Sequence, residues 1–111
     1  MKLQFTLAAA VLVSLYSATT LAAGDPAKGK AFYATCGACH GANGEGLEAL
    51  NAPKLQGQEE WYIVRQLQNF KAGIRGSNPK DTYGMQMAPM AQTLPTDQAI
   101  EDVAAYIKTL K

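Results

Sequence analysis

The chain has 111 residues, with ten basic and nine acidic side chains, one histidine and two cysteines. A near-neutral balance excludes a nucleic-acid binder, which needs a basic face, and two cysteines with one histidine are too few for a four-ligand zinc site. A single small domain of this length buries a limited apolar core unaided, so a large apolar cofactor would supply what the side chains lack.

The first segment reads as a leader. Lys2 is its only charge, and residues 3–21 are uncharged and rich in Leu, Ala and Val. Small residues follow, completing the n-region, h-region and cleavage-site layout of a secretory signal peptide over residues 1–22. Thr20 and Ala22 occupy the small-residue positions before a cut after Ala22, with a cut after Ala23 as the second choice. The competing reading is an uncleaved membrane anchor, for which the apolar run is about long enough. Residues 23–111 form the expected domain. Once Lys2 is removed they carry nine basic and nine acidic groups.

The first helix is expected from Pro26 to about Thr35, with Asp25 as N-cap and Pro26 at the first helical position. Ala27, Ala31, Phe32 and Ala34 are its apolar positions. Gly29 in its interior costs about 1 kcal/mol against Ala and suggests close approach of another helix.

Cys36-Gly37-Ala38-Cys39-His40 follows. C-x-x-C-H is the pattern of c-type haem attachment. Each thiol adds to one vinyl group of the porphyrin, and the next residue brings an imidazole to the iron. A redox dithiol is the rival reading, but it accompanies a βαβ pattern that is absent here.

From Gly41 to Gln58 the chain reads as irregular, broken by Gly41, Gly44, Gly46, Pro53 and Gly57. A second helix is expected from Glu59 to Ala72, with Tyr62, Ile63, Gln66, Leu67 and Phe70 on one face. Residues 74–95 read as a second loop because of Gly76, Pro79, Gly84, Pro89 and Pro95. Irregular segments of this length are often functional. The last helix begins at Thr96 or Asp97, with Ile100, Val103, Ala104, Ile107 and Leu110 on its apolar face and Tyr106 beside them. With no alternating strand pattern, the expectation is an all-α chain of three or four short helices.

An electron-transfer haem with six ligands needs a group opposite His40. With no second histidine, a methionine is the natural choice, and its thioether raises the reduction potential. Met85, Met87 and Met90 cluster in the second expected loop. Spacing alone leaves all three open, and those not used serve as flexible apolar filler.

Together these stretches resemble a known family. They are residues 24–29, Cys36 to Gly41, Pro53 to Gln58, Gln66 to Gly73, Met87-Ala88-Pro89-Met90 and Ala104 to Ile107. The chain resembles the short bacterial class I cytochromes c and is similar to one half of the periplasmic two-haem cytochromes. The resemblance implies a small cytochrome c fold around one covalent haem c, joined to Cys36 and Cys39 outside the cytoplasm. In that family the ligand methionine commonly lies seven positions before the Leu preceding the last helix. That Leu is Leu94, which selects Met87, with Met90 as the alternative. Pro53 resembles the proline whose carbonyl accepts a hydrogen bond from the axial histidine, Leu55 a haem-pocket residue, and Gly29 with Tyr106 the crossing of the first and last helices. Trp61 and Arg65 are candidates for propionate contact or simple packing.

The implied activity is single-electron carriage in the periplasm, with no catalytic residues and no small-molecule substrate. The implied partners are a terminal oxidase, and a quinol-oxidising complex or a periplasmic dehydrogenase. A haem peroxidase or a gas sensor would need an open sixth site, against which the methionine cluster argues.

Overall fold

A computed structural model describes residues 9–17 and 21–111. Residues 1–8 and 18–20, half of the expected leader, lie outside the described residues. Residues 9–17 form no helix or strand, and no described helix is long and apolar enough to cross a membrane.

Four α-helices follow: α1 (Pro26–His40), α2 (Glu60–Lys71), α3 (Thr82–Gln92) and α4 (Asp97–Thr109). A single 3-10 turn spans Glu48–Leu50. The described residues contain no strand beyond one isolated bridge between Leu47 and Ala52.

The ends of α1 and α4 follow from capping chemistry. The Asp25 carboxylate accepts from Ala27 N–H at 2.9 Å, and Thr96 Oγ1 accepts from Ala99 N–H at 3.0 Å. Each supplies a partner to a first-turn donor that has none inside its helix. Helix α1 does not stop near Thr35. It runs through the whole cysteine motif to His40, because nothing in Cys36–His40 breaks it, and ends at Gly41 with φ of 89°. Nor does its buried face match the alanine positions read from the sequence. Gly29, Tyr33 and His40 face inward, at helical spacing, while Ala27, Ala31 and Ala34 are exposed.

Helix α3 replaces most of the expected second loop. Pro89 lies inside it and removes one backbone donor. Asp81 starts the helix by accepting from Gly84 N–H at 3.0 Å. Its buried residues Gly84 and Ala91 are small, a Cβ on Gly84 would collide with the capping Asp81 carboxylate, and the helix packs on α2. Packing thus outweighs the local cost of the proline.

The core is built on α4. Ile100, Val103 and Ala104 are fully buried, and they pack with Ile107, Tyr33 of α1, Ile63, Leu67 and Phe70 of α2, Ala91 of α3, and Leu94. Helices α1 and α4 form the most extensive helix pair, and α2 packs on both α4 and α3. Gly29 sits where α1 crosses α4. A Cβ there would run into the Asp102 carbonyl and come within 2.9 Å of Tyr106 Cβ. Tyr33 and Tyr106 stack at the same crossing, with ring centroids 5.2 Å apart. The buried Asp102 carboxylate accepts from Asp25 N–H at 2.8 Å and from Gln98 Nε2 at 3.1 Å, tying the start of α1 to α4.

Candidate functional site

His40 ends α1 with its ring buried, 7 % exposed. The loop after it must turn at once. Gly41 adopts a positive φ, and a Cβ there would meet the Glu45 carboxylate. The Glu45 carboxylate itself accepts from Asn43 N–H at 2.9 Å. Gly46 N–H then donates to His40 C=O at 2.7 Å, while Leu55 and Gln56 N–H donate to Gly44 C=O at 2.8 and 3.1 Å. These bonds fold residues 41–58 back on themselves and bring Pro53 beside the histidine.

His40 Nδ1 lies 2.7 Å from Pro53 C=O. A carbonyl oxygen only accepts, so Nδ1 carries the proton and donates. In the neutral ring that leaves Nε2 as the free lone pair. An acceptor on the distal nitrogen is the usual device that orients a ligating imidazole and raises its basicity. The Pro53 contribution is its backbone carbonyl, and the proline's missing N–H leaves it no donor of its own in the turn.

The two thiols of the motif differ in environment. Cys36 is half-buried and packs against the core, and Cys39 is exposed. Burial pushes the Cys36 thiol above its ordinary range, so it is neutral near pH 7. The two are not bridged to each other. They sit about one turn apart on α1, four positions and one position before the imidazole, so their sulfurs and the ring are held by the same rigid element.

The methionines separate by burial. All three lie on α3. Met85 and Met90 are 45 % and 40 % exposed, whereas Met87 is half-buried and packs against the core. Leu55 packs there as well, together with Phe32, Val64 and Ala88. Trp61 and Arg65 engage each other, with the guanidinium 4.9 Å from the indole centroid on an exposed face.

Tyr33 was missed by the sequence reading. Its hydroxyl donates to Gly41 C=O at 2.6 Å, bracing the turn that follows His40. Burial, together with the nearby Cys36, Glu45 and Tyr106, pushes its phenol up to about 12. A buried tyrosine hydroxyl needs a partner, but nothing in the local pattern marks Tyr33 as inward-facing. Its position shows only once α1 is known to extend to His40.

The donor set suits a c-type haem. It offers two free thiols at the attachment spacing, an imidazole with Nδ1 engaged and Nε2 open, a thioether at the core edge, and apolar side chains from α1, α2, α3 and the 41–58 loop. Among the described residues no cluster of three or more His, Cys, Asp and Glu side chains offers a conventional metal site.

The family profile described as Cytochrome c matches residues 26–111. Cytochrome c4 of Stutzerimonas stutzeri is 44 % identical over 92 residues, covering 81 % of this chain and 43 % of that protein. The chain therefore spans less than half the length of that relative. Cytochrome c-554(548) of Halomonas halodenitrificans is 40 % identical over 84 residues, covering 76 % of this chain and 94 % of that one. The solved structure of reduced recombinant cytochrome c4 from Pseudomonas stutzeri superposes with a TM-score of 0.63 at 44 % identity, over 80 % of this chain and 47 % of that one. The chain belongs to the cytochrome c family, with the all-α fold of that family and one haem c bound covalently through Cys36 and Cys39.

Proposed function

We propose that the protein is a periplasmic single-electron carrier whose haem iron is held between His40 Nε2 and Met87 Sδ. The observation that carries this reading is the His40–Pro53 contact at 2.7 Å, which assigns the proton to Nδ1 and leaves Nε2 to ligate. The half-burial of Met87, against the exposure of Met85 and Met90, supports it as the opposite ligand.

When bound, the haem supplies a one-electron couple between ferric and ferrous iron. The chain's residues tune and protect that couple. His40 is fixed in one tautomer and orientation by Pro53. A thioether at Met87 favours the ferrous state and raises the potential. Ile63, Leu67, Phe70 and Leu94, all buried, exclude water and keep the surroundings rigid. With His40 and Met87 both engaged, the bound haem would offer no open site for a substrate, and the chain would contribute no catalytic residue.

The charge-free run of residues 3–21 supports export, with cleavage after Ala22 and residues 23–111 as the mature domain. The partners are other redox proteins: a terminal oxidase, and a quinol-oxidising complex or a periplasmic dehydrogenase. Encounters of this kind are small and transient. A neutral mature surface makes their rate weakly dependent on salt.

The test compares the purified holoprotein with Met85→Ala, Met87→Ala and Met90→Ala. The wild type is expected to show a ferric sulfur-to-iron charge-transfer band at the red end of the spectrum. Only Met87→Ala should lose it, with a lower reduction potential. Rapid carbon monoxide binding by the untreated ferrous wild type would refute a closed iron, and loss of the band in Met90→Ala instead would move the ligand to Met90.

A further inference from the structure

We propose that Lys71 is a positioning residue for the methionine-bearing helix: its ammonium clamps the C-terminal end of α3 to that of α2 and so holds Met87 on the iron. The inference rests on Met87 being the ligand.

Lys71 is the last residue of α2 and is partly buried. Its Nζ donates to Leu94 C=O at 2.5 Å, across 23 residues of chain. A second bond runs the other way, from Gln92 Nε2 to Lys71 C=O at 3.2 Å. The ends of α2 and α3 are therefore side by side. Each is a C-terminus, with carbonyls lacking intrahelical partners and a partial negative charge. Two such ends brought together repel unless a cation lies between them. The last turn of α3 contains no basic residue, and Lys71 is the one basic residue in the last turn of α2. One ammonium thus serves both helices.

The attachment of α3 makes this junction matter. Its principal helix neighbour is α2, with at most marginal contact to α1 and α4. Through its first half it is held where Gly76 packs on the Gly84 carbonyl and on Ala88, whose Cβ is 3.0 Å from where a Cβ on Gly76 would stand. At the far end, the connection to α4 is only Thr93 to Thr96, and the clamp falls on Leu94 in its middle. Met87 lies between the Gly84 contact and the Leu94 clamp, beside Ala88. Withdrawing it from the core requires α3 to swing away from α2, which breaks the Lys71 bond. A charge-assisted hydrogen bond of this kind changes such an opening equilibrium by about tenfold or more.

The test uses the holoprotein with Lys71→Met, which keeps the aliphatic stem and removes the ammonium, beside Lys71→Arg, which keeps the charge. Carbon monoxide binding to the ferrous form, the reduction potential and amide hydrogen exchange of residues 85–92 are measured. Lys71→Met should bind carbon monoxide about tenfold faster than wild type, with a lower potential and faster exchange confined to α3, and Lys71→Arg should stay near wild type. If Lys71→Met lowers only the melting temperature, leaving carbon monoxide binding and α3 exchange unchanged, Lys71 is merely structural and the proposal falls. It falls equally if Lys71→Arg is as impaired as Lys71→Met. Should Lys71→Met not accumulate, Lys71→Gln is read by the same criteria. A wild type that already binds carbon monoxide rapidly overturns the ligand reading itself, and α3 exchange alone then decides for or against the clamp.

Discussion

Replacing Gly29 by alanine sets two effects of opposite sign against each other at one position. In an exposed helix interior the change stabilises by about 1 kcal/mol, because glycine has more backbone freedom to lose. At the α1–α4 crossing the added methyl would collide with the Asp102 carbonyl and come within 2.9 Å of Tyr106 Cβ. Neither atom lies at the end of a flexible side chain, so no rotamer change relieves the contact. Helix α1 or α4 must move, in the most extensively packed helix pair of the molecule. Overpacking of this sort costs about 1–3 kcal/mol, and a backbone clash belongs at the upper end. The net expectation is a loss of about 2 kcal/mol, a fall in melting temperature of about 8–16 °C for a domain of this size. The assay is thermal and denaturant unfolding of the ferric holoprotein, followed by helical circular dichroism. An unchanged or raised stability would show that the crossing is looser than described and that Gly29 is only a tolerated residue.

The Tyr33 phenol gives a pH dependence of definite sign. Its folded value of about 12 lies above the ordinary 10.0, so the folded state holds the proton more tightly. Its contribution to stability is complete below about pH 10 and is lost as pH rises towards 12. Two pH units correspond to about 3 kcal/mol as an upper bound, so Tyr33→Phe should remove a fall in unfolding free energy between pH 10 and 12. An identical decline in both proteins would rule this out. Asp102→Ala should destabilise by about 1–3 kcal/mol, since it strips acceptors from Asp25 N–H and Gln98 Nε2; denaturant titration at constant m-value reads this directly. Cys36→Ala or Cys39→Ala should each weaken covalent haem retention and lower yield. A haem stain of denatured protein at wild-type intensity in both variants would contradict the assigned attachment.

Much of the site was legible in the chain because its chemistry is local. The attachment motif occupies five consecutive residues, so no folding knowledge is needed to find Cys36, Cys39 and His40. The caps at Asp25 and Thr96 are equally local, being side chains that bond donors two and three residues ahead. The aliphatic stripe of α4 showed itself through its spacing, and Ile100, Val103, Ala104 and Ile107 are all buried.

What stayed hidden depends on contacts between distant segments. Helix α3 carries a glycine and a proline that argue locally against a helix, yet it forms, capped by Asp81 and packed on α2. The alanines of α1 look like a buried face, yet Gly29 and Tyr33 are turned inward because only a glycine allows α4 so close. Among Met85, Met87 and Met90, spacing alone makes no choice, whereas burial sets Met87 apart. The Lys71–Leu94 bond spans 23 residues and has no sequence signature. Short-range bonding rules can be read along a chain. Which helix faces meet, and which side chains they trap, is settled only when the whole chain packs.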